Sequence, residues 1–399
     1  MTQFFYSIFL NSYYSAIRLV SLWNPKARLW LDGRKESLLK VKNANLSNCI
    51  WFHAASLGEF EQISFLIEQI RSKYPSEKIL VSFFSPSGYE PKKKFKYADK
   101  IVYLPFDFKS EMKEWIDFVN PKIVFWVRYE FWLNTLTILE SKKIPIYLLN
   151  GVFYPQSNPI YLPILKKSLS KFIKIFVISE DSKINLDSIG FSSEVLYDTR
   201  YDRMNQILKT EFEDPIIEKF KGNNKLVVCG SIWGTDDIIL EKAINSIENI
   251  HWVLVPHEIN TQRILELKSR FPNSQTYLDY NSDIKCSILI VDTMGFLSRI
   301  YRYADVCYVG GGFTKVVHSL IEPLAYHKPI IIGKRIEKSE EAREFVKEKL
   351  VYQIFSSEEF LNTLTRVLSS DNEIENQRKK ELFISRLGSV DSLINILDK

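Results

Sequence analysis

Three stretches of the sequence carry residue types that chemistry needs, each between an apolar run and a helical pattern. The first is His53-Ala-Ala-Ser56-Leu-Gly58-Glu59. Its small residues let a backbone approach a ligand closely. Gly58 and Glu59 open the helix, whose N-terminus favours a carboxylate and keeps it ionised. An ionised Glu at a strand end can take a proton as a general base, or can merely satisfy the helix N-terminus; spacing alone leaves the two even. His53 ends an apolar strand and reads as structural, a ring nitrogen bonding a loop carbonyl.

The second stretch is Trp126-Val-Arg128-Tyr-Glu130-Phe-Trp132-Leu-Asn134. Arg128 and Glu130 point into the same cleft as Glu59, or pair with each other. The third is Gly310-Gly311-Gly312, after the apolar run Val306–Val309 and before His318 and a helix starting near Ser319. Three consecutive glycines stand out in a chain with 14. They let backbone N–H groups crowd around a phosphate, and the next helix adds its dipole. Glu322, on the first turn of that helix, is placed to accept hydrogen bonds from ribose hydroxyls. A plain strand-to-helix turn is the alternative. Ser231, Pro256-His257 and Asp292-Thr-Met294-Gly295 are further polar turns at strand ends of the same half.

Several chemistries lack their motifs. There is no GxxxxGK[ST], no GxGxxG, no GxSxG and no Asp-x-Asp, which leaves P-loop, dinucleotide, ordinary hydrolase and metal-clamped diphosphate chemistry unsupported. Cys49, Cys229, Cys286 and Cys307 are scattered without zinc spacing, and three lie in apolar strand-like runs. Buried, reduced thiols in a reducing compartment are the expectation.

The elements that position these residues follow from periodicity. The chain has 399 residues, of which 46% are hydrophobic, enough for two domains of about 100–200 residues each. Apolar runs at Cys49–His53, Ile79–Phe84, Lys100–Tyr103, Ile123–Val127, Ile144–Asn150 and Ile173–Ser179 predict one series of strands. Lys225–Gly230, Trp252–Val255, Ser287–Val291, Val306–Val309 and Pro329–Ile332 predict a second. Helical patterns such as Glu59–Lys73 and Ser319–Tyr326 lie between them. Near-continuous apolar strands alternating with helices indicate parallel sheets covered on both faces. The fold class is therefore α/β, with two Rossmann-like domains facing across a cleft and a boundary near residues 197–212. Ligands of such sheets bind at the carboxyl ends of the strands, where the three stretches lie.

The net charge of +5 is local. Residues 1–45 hold seven Lys and Arg against Asp32 and Glu36, so the rest of the chain is balanced. That asymmetry argues for one anionic partner such as lipid headgroups, and against nucleic acid. In residues 4–23, Ser7, Asn11, Ser15 and Arg18 form a polar stripe opposite Phe5, Phe9, Tyr13, Ile17 and Val20. This predicts an amphipathic helix too interrupted to span a bilayer. Trp23, Lys26, Arg28, Arg34 and Lys35 follow it. The reading is an in-plane helix on an anionic membrane surface, the alternative a helix docked on the protein itself. On the first reading, removing residues 1–24 leaves both domains folded.

Taken in order, WFHAASLGEFEQ, EFWLN, LLNG, DTRYD, CGS, DTMG, YRYADVCYVGGGF and HSLIEPLA resemble the 3-deoxy-D-manno-octulosonic acid (Kdo) transferases, across roughly residues 18–398. The first block is fairly specific; HSLIEPLAYHKPII is shared more loosely by GT-B glycosyltransferases. The resemblance implies a GT-B fold, CMP-Kdo as donor, a lipid A precursor as acceptor, inversion at the anomeric carbon, and no metal or other cofactor. It implies Glu59 as general base and His318 and Glu322 in the donor site. Ser56, Gly58, Arg128 and Glu130 become acceptor-side candidates. Arg200, Ser231, His257, Met294, Gly295, Gly311, Gly312 and Ser319 become donor-side candidates. The implied organisation is a membrane-associated segment 1–45, an acceptor domain 46–205 and a donor domain 206–399, at the cytoplasmic face of the bacterial inner membrane. The sequence departs from the family pattern at Arg128, commonly Glu; at Arg200, often Lys; at Phe296, usually Glu; at Ser319, usually Asn; and at His257, which lacks the common Arg before the His. Another GT-B transferase, a nucleotide-sugar epimerase and a non-catalytic nucleotide-binding scaffold are the rival readings.

Overall fold

The structure is a computed structural model that describes residues 2–128, 130–155, 158, 161–370 and 372–398, with only the backbone of residues 2–4. The chain divides into two compact units, Met1–Arg200 with Gly388–Lys399, and Tyr201–Leu387.

The first unit is built on seven strands: β1 (Ile50–Ala54), β2 (Ile79–Phe83), β3 (Lys100–Tyr103), β4 (Ile123–Val127), β5 (Ile146–Gly151), β6 (Lys174–Val177) and β7 (Glu194–Val195). They lie in the order β3-β2-β1-β4-β5-β6-β7, and every pairing is parallel. Residues alternate between two cores, as the pleat requires. Trp51, Trp126 and Leu148 face one core together with Trp115. Phe52, Phe125 and Val127 face the other, with Phe60. Burial on both sides is why these strands read as unbroken apolar runs.

The second sheet holds β8 (Lys225–Ile232), β9 (Ile250–Pro256), β10 (Ser274–Thr276), β11 (Ile288–Ile290), β12 (Val306–Val309), β13 (Ile330–Ile332) and β14 (Tyr352–Gln353). Their order is β10-β11-β9-β8-β12-β13-β14, again all parallel. In each sheet the chain runs outward from a central strand on one side and then returns to continue on the other. These switch points fall between β1 and β4 and between β8 and β12. They are where ligands of such sheets lodge, and all three chemistry-bearing stretches sit on them.

Three expected boundaries are corrected. Residues 1–45 are not a separate segment: α1 (Thr2–Val20), α2 (Pro25–Lys35) and α3 (Ser37–Lys42) add Tyr6, Leu10, Trp30 and Val41 to the first core. The C-terminus does not stay with the second unit. Helix Ser389–Ile394 sends Val390, Leu393 and Ile394 into the core that Phe60 and Ile63 of α4 (Leu57–Lys73) help form. The helix expected over Ser319–Tyr326 is the short Ile321–Ala325.

The faces of α1 also differ from the expected stripe. Tyr6 and Leu10 are buried, and Tyr13, Tyr14 and Ile17 pack against the same core. Phe5 and Phe9, assigned to the same side as Tyr13, are instead exposed together with Ile8 and Leu19. Both faces are apolar, so a 3.6-residue period cannot say which one docks. The docked alternative holds for one face, and an exposed apolar face remains on the other. Deleting residues 1–24 therefore takes away part of the first core, contrary to the expectation of intact domains. No helix among the described residues is long and apolar enough to cross a membrane.

Candidate active site

In the first unit, β1 delivers the chain to Ser56, the extended N-cap residue of α4. Glu59, three residues on, folds back so that its Oε2 accepts the Ala55 N–H at 2.6 Å. It thus does what a helix-start carboxylate does. Yet the expected depression of its pKa is reversed: burial raises it, against the Ala55 N–H and the Arg128 charge. A half-buried carboxylate with raised basicity is better suited to taking a proton than an exposed one. A Cβ at Gly58 would meet nothing within 4 Å. The fold itself therefore does not demand glycine there, and the open space lies next to Glu59.

Across the switch point, Arg128 adopts a left-handed backbone, φ +62°, bonded through its N–H to Leu149 O at 2.8 Å. Its Nε donates to Gln62 Oε1 at 2.9 Å. Glu130 does something else. Its backbone carbonyl accepts the Trp126 indole at 2.6 Å, and its Oε2 is buried without a hydrogen-bond partner. Burial, and then the Glu59 charge, push the Glu130 carboxyl up to about 8. At neutral pH Glu130 is therefore a carboxylic acid, beside a Glu59 whose charged form is favoured by the Ala55 N–H and by Arg128. Arg34 lies under the site, its guanidinium 3.5 Å from the Trp30 ring centre and 4.5 Å from that of Phe84. His53 is structural, as expected: fully buried, Nδ1 at 2.8 Å from Ser82 Oγ, held neutral by burial with its pKa near 3. Its partner is a hydroxyl, not a loop carbonyl.

Pattern reading missed a polar chain here. Gln62, which binds Arg128, donates through Nε2 to Asp198 Oδ2 at 2.5 Å. Asp198 in turn takes the Arg200 backbone N–H at 2.9 Å and two guanidinium contacts at 3.0 Å. Arg200, assigned to the donor side, thus ends the first unit joined through Asp198 and Gln62 to Arg128. Gln62 and Asp198 are 136 positions apart, beyond any local signal.

In the second unit, the glycine turn follows β12 and abuts β8. The expected phosphate cradle is partly closed. Gly310 N–H is bonded to Gly230 O at 2.9 Å, and Gly311 N–H to Asp236 Oδ2 at 3.0 Å. A Cβ on Gly310 would sit 2.5 Å from Ser231 O, and one on Gly312 would sit 2.7 Å from Gly333 Cα. Close backbone contact is what demands these glycines. Asp236, fully buried, holds the turn with bonds from Trp233 N at 2.8 Å and Tyr308 OH at 2.7 Å. No motif had singled it out.

Beside the turn lies a cluster of three rings. Trp233 Nε1 donates to His318 Nε2 at 2.9 Å, and the two rings are 14° from coplanar. His257 stacks on both, at 4.5 Å from Trp233 and 4.2 Å from His318. Burial, then the His257 charge, lower the His318 pKa to about 4. Ser231, with φ +54°, His257, Gly311 and His318 are thus brought together. Ser319 Oγ is buried without a partner. Glu322 is half-buried on the short helix. Met294 is 78% exposed, and with Gly295, φ +86°, it sits in the turn after β11, two strands from β8. Phe296 packs on Tyr277 at 5.3 Å.

A family model described as 3-deoxy-D-manno-octulosonic-acid transferase (kdotransferase) matches residues 30–203. A bifunctional glycosyltransferase/methyltransferase of Fusobacterium nucleatum is 30% identical over 354 residues, 82% of this chain. The chain spans about half of that relative's length, 54%. A 3-deoxy-D-manno-octulosonic acid transferase of Aquifex aeolicus is 27% identical over 86% of this chain and 92% of its own. A glycosyltransferase structure from Rickettsia africae shares the two-domain GT-B fold, with a TM-score of 0.58 at 12% identity, covering 88% of this chain and 97% of its own. The family model over residues 30–203 and these relatives together support a 3-deoxy-D-manno-octulosonic acid transferase, a glycosyltransferase on two parallel sheets.

Proposed function

We propose that the chain moves Kdo from CMP-Kdo to a hydroxyl of a lipid A precursor, with inversion at the anomeric carbon, at the cytoplasmic face of the bacterial inner membrane. The observation that carries this reading is Glu59, a half-buried carboxylate of raised basicity at the switch point of the first sheet. Glu59 takes the proton of the acceptor hydroxyl as its oxygen attacks the anomeric carbon. The bond to CMP breaks and the phosphate leaves with the electron pair. Glu130, carrying its proton, offers the acceptor a hydrogen bond without adding a second negative charge. The nucleotide belongs to the second unit, around Ser231, Gly311, Gly312, His318 and Glu322. His318, held neutral, contributes a hydrogen bond and no charge. Arg200 and Arg128 are cations for the anionic groups of donor or acceptor, and a monophosphate can be met by such forks and backbone dipoles without a divalent ion.

The exposed apolar face of α1, with Lys26 and Arg28 after it, suits an anionic lipid surface holding the acceptor. The test is incubation of the full chain with labelled CMP-Kdo and vesicles containing lipid A precursor, beside UDP-sugars and beside EDTA. Transfer from CMP-Kdo alone, undiminished by EDTA, is the expected result. Transfer from a UDP-sugar, or loss on chelation restored by a divalent ion, overturns the donor or the metal-free reading.

A further inference from the structure

The docked face of α1 includes Tyr6, whose hydroxyl reaches into the body of the first unit. It donates to Asp107 Oδ2 at 2.6 Å and accepts the Leu133 backbone N–H at 3.1 Å. Asp107 is 1% exposed. Its carboxylate also takes the N–H groups of Asn134 at 2.9 Å and Thr135 at 2.7 Å, and the Thr135 hydroxyl. Its backbone carbonyl takes Asn134 Nδ2 at 2.6 Å. These donors form the first turn of helix Leu133–Ser141, whose own N-cap position, Trp132, makes no side-chain cap bond. A helix start needs acceptors for its free N–H groups. Here Asp107 and Tyr6 supply them from elsewhere in the chain, 27 and 127 positions away.

That helix start is the end of the turn carrying Glu130 and Trp132. A second path runs parallel to the first. Trp132 stacks on Phe84 at 4.7 Å, Phe84 meets Trp30 at 5.4 Å, and Trp30 takes the edge of Tyr13 on α1 at 6.4 Å. We propose that Tyr6 and Asp107 are positioning residues for the acceptor site. Through them α1, the helix that meets the lipid surface, sets the place of the Glu130–Trp132 turn. The membrane-facing helix is then a structural support of the site in which the lipid is glycosylated, and seating one orders the other. A fully satisfied buried carboxylate specifies one arrangement; removing a donor leaves Leu133 N–H and a carboxylate lone pair unmet. This inference rests on reading the Glu130 turn as the acceptor site.

The test uses the full chain with acceptor in vesicles and four variants: Tyr6→Phe, Thr135→Val, Glu130→Ala and the Tyr6→Phe/Glu130→Ala pair. Tyr6→Phe keeps the ring that packs and removes only the hydroxyl. It is expected to bind vesicles and CMP as the unaltered chain does, to hold acceptor KM, and to lose about tenfold in kcat, the scale of one lost buried hydrogen bond. Thr135→Val, which weakens the same carboxylate from the other side, should lose kcat likewise. The double variant should fall little below Glu130→Ala alone, since residues acting through one group are not additive. Unaltered kcat in both Tyr6→Phe and Thr135→Val, or full additivity in the pair, overturns the positioning role while leaving the acceptor site standing. Full activity of Glu130→Ala, which removes the group altogether, overturns the acceptor-site reading and the inference with it.

Discussion

Trp233 holds His318 in one tautomer: its Nε1–H points at His318 Nε2 at 2.9 Å, so the imidazole proton must sit on Nδ1. Protonating His318 breaks that bond and sets a positive charge against the His257 ring, 4.2 Å away between ring centres. Gly311 completes the arrangement, since a Cβ there would lie 2.9 Å from His318 Cδ2. Trp233→Phe keeps much of the stacking ring and removes the donor. The His318 titration, followed by NMR, should then move up from its midpoint near 4, because the bond that favours the neutral ring is gone. CMP affinity, measured by calorimetry, should weaken by about 0.5–1.5 kcal/mol. An unmoved titration would show that burial and His257 keep the ring neutral without the Trp233 bond.

Glu59→Gln should lower kcat by about 10²–10⁴, the usual contribution of a positioned base. The amide can still accept the Ala55 N–H through its carbonyl, so the start of α4 stays capped and the melting temperature should hold. Turnover near that of the unaltered enzyme would leave Glu59 as a helix-start residue and nothing more.

Glu130 governs the alkaline side. Its carboxyl, pushed up to about 8 by burial and by Glu59, is neutral at pH 7 and ionises as pH rises through that value. A second negative charge then faces Glu59, and the proton offered to the acceptor is lost. The profile of kcat/KM should fall near pH 8, and Glu130→Gln should remove that alkaline limb. The sign for stability follows from the same shift. The folded state holds this proton more tightly than the unfolded chain, so the contribution of Glu130 declines as pH rises from about 4.5 to about 8 and is constant above. An alkaline limb that persists in Glu130→Gln assigns it to another group.

The residues legible in the sequence are those whose role is local. Glu59 announces itself by following a buried strand and three small residues. The glycine turn after β12 does so by composition. The central strands do so because both faces are buried. The short edge strands β7, β10 and β14, of two or three residues each, exist through pairing and carry no period of their own. The partners that tune the site were equally hidden. Gln62 with Asp198, Gly311 with Asp236, and Tyr6 with Asp107 join positions 136, 75 and 101 apart. Each is an ordinary polar residue until the fold brings it to its partner. The glycines were read for a phosphate, and the structure shows a different demand on them: two of their N–H groups are bound to the protein itself, and the missing side chains make room for neighbouring backbone.

The last prediction separates the two faces of α1. Truncation cannot do so, because Tyr6 and Leu10 belong to the core, and loss of large buried side chains costs about 2–5 kcal/mol each. Substitutions on the outer face can. Ile8, Leu19 and Trp23 are 49%, 59% and 65% exposed, so replacing them with Ser removes little packing. The triple variant should melt within a few degrees of the unaltered chain and bind CMP as well. Its partition onto anionic vesicles should weaken by roughly tenfold or more, since each large apolar side chain brought from water into lipid contributes about 1.5–3 kcal/mol when fully buried. Raising salt should weaken what remains, through Lys26 and Arg28. Activity on a short soluble acceptor should persist while activity on vesicle-embedded lipid drops. Vesicle binding as tight as that of the unaltered chain would place the lipid-binding surface away from α1 and leave its exposed apolar face to some other contact.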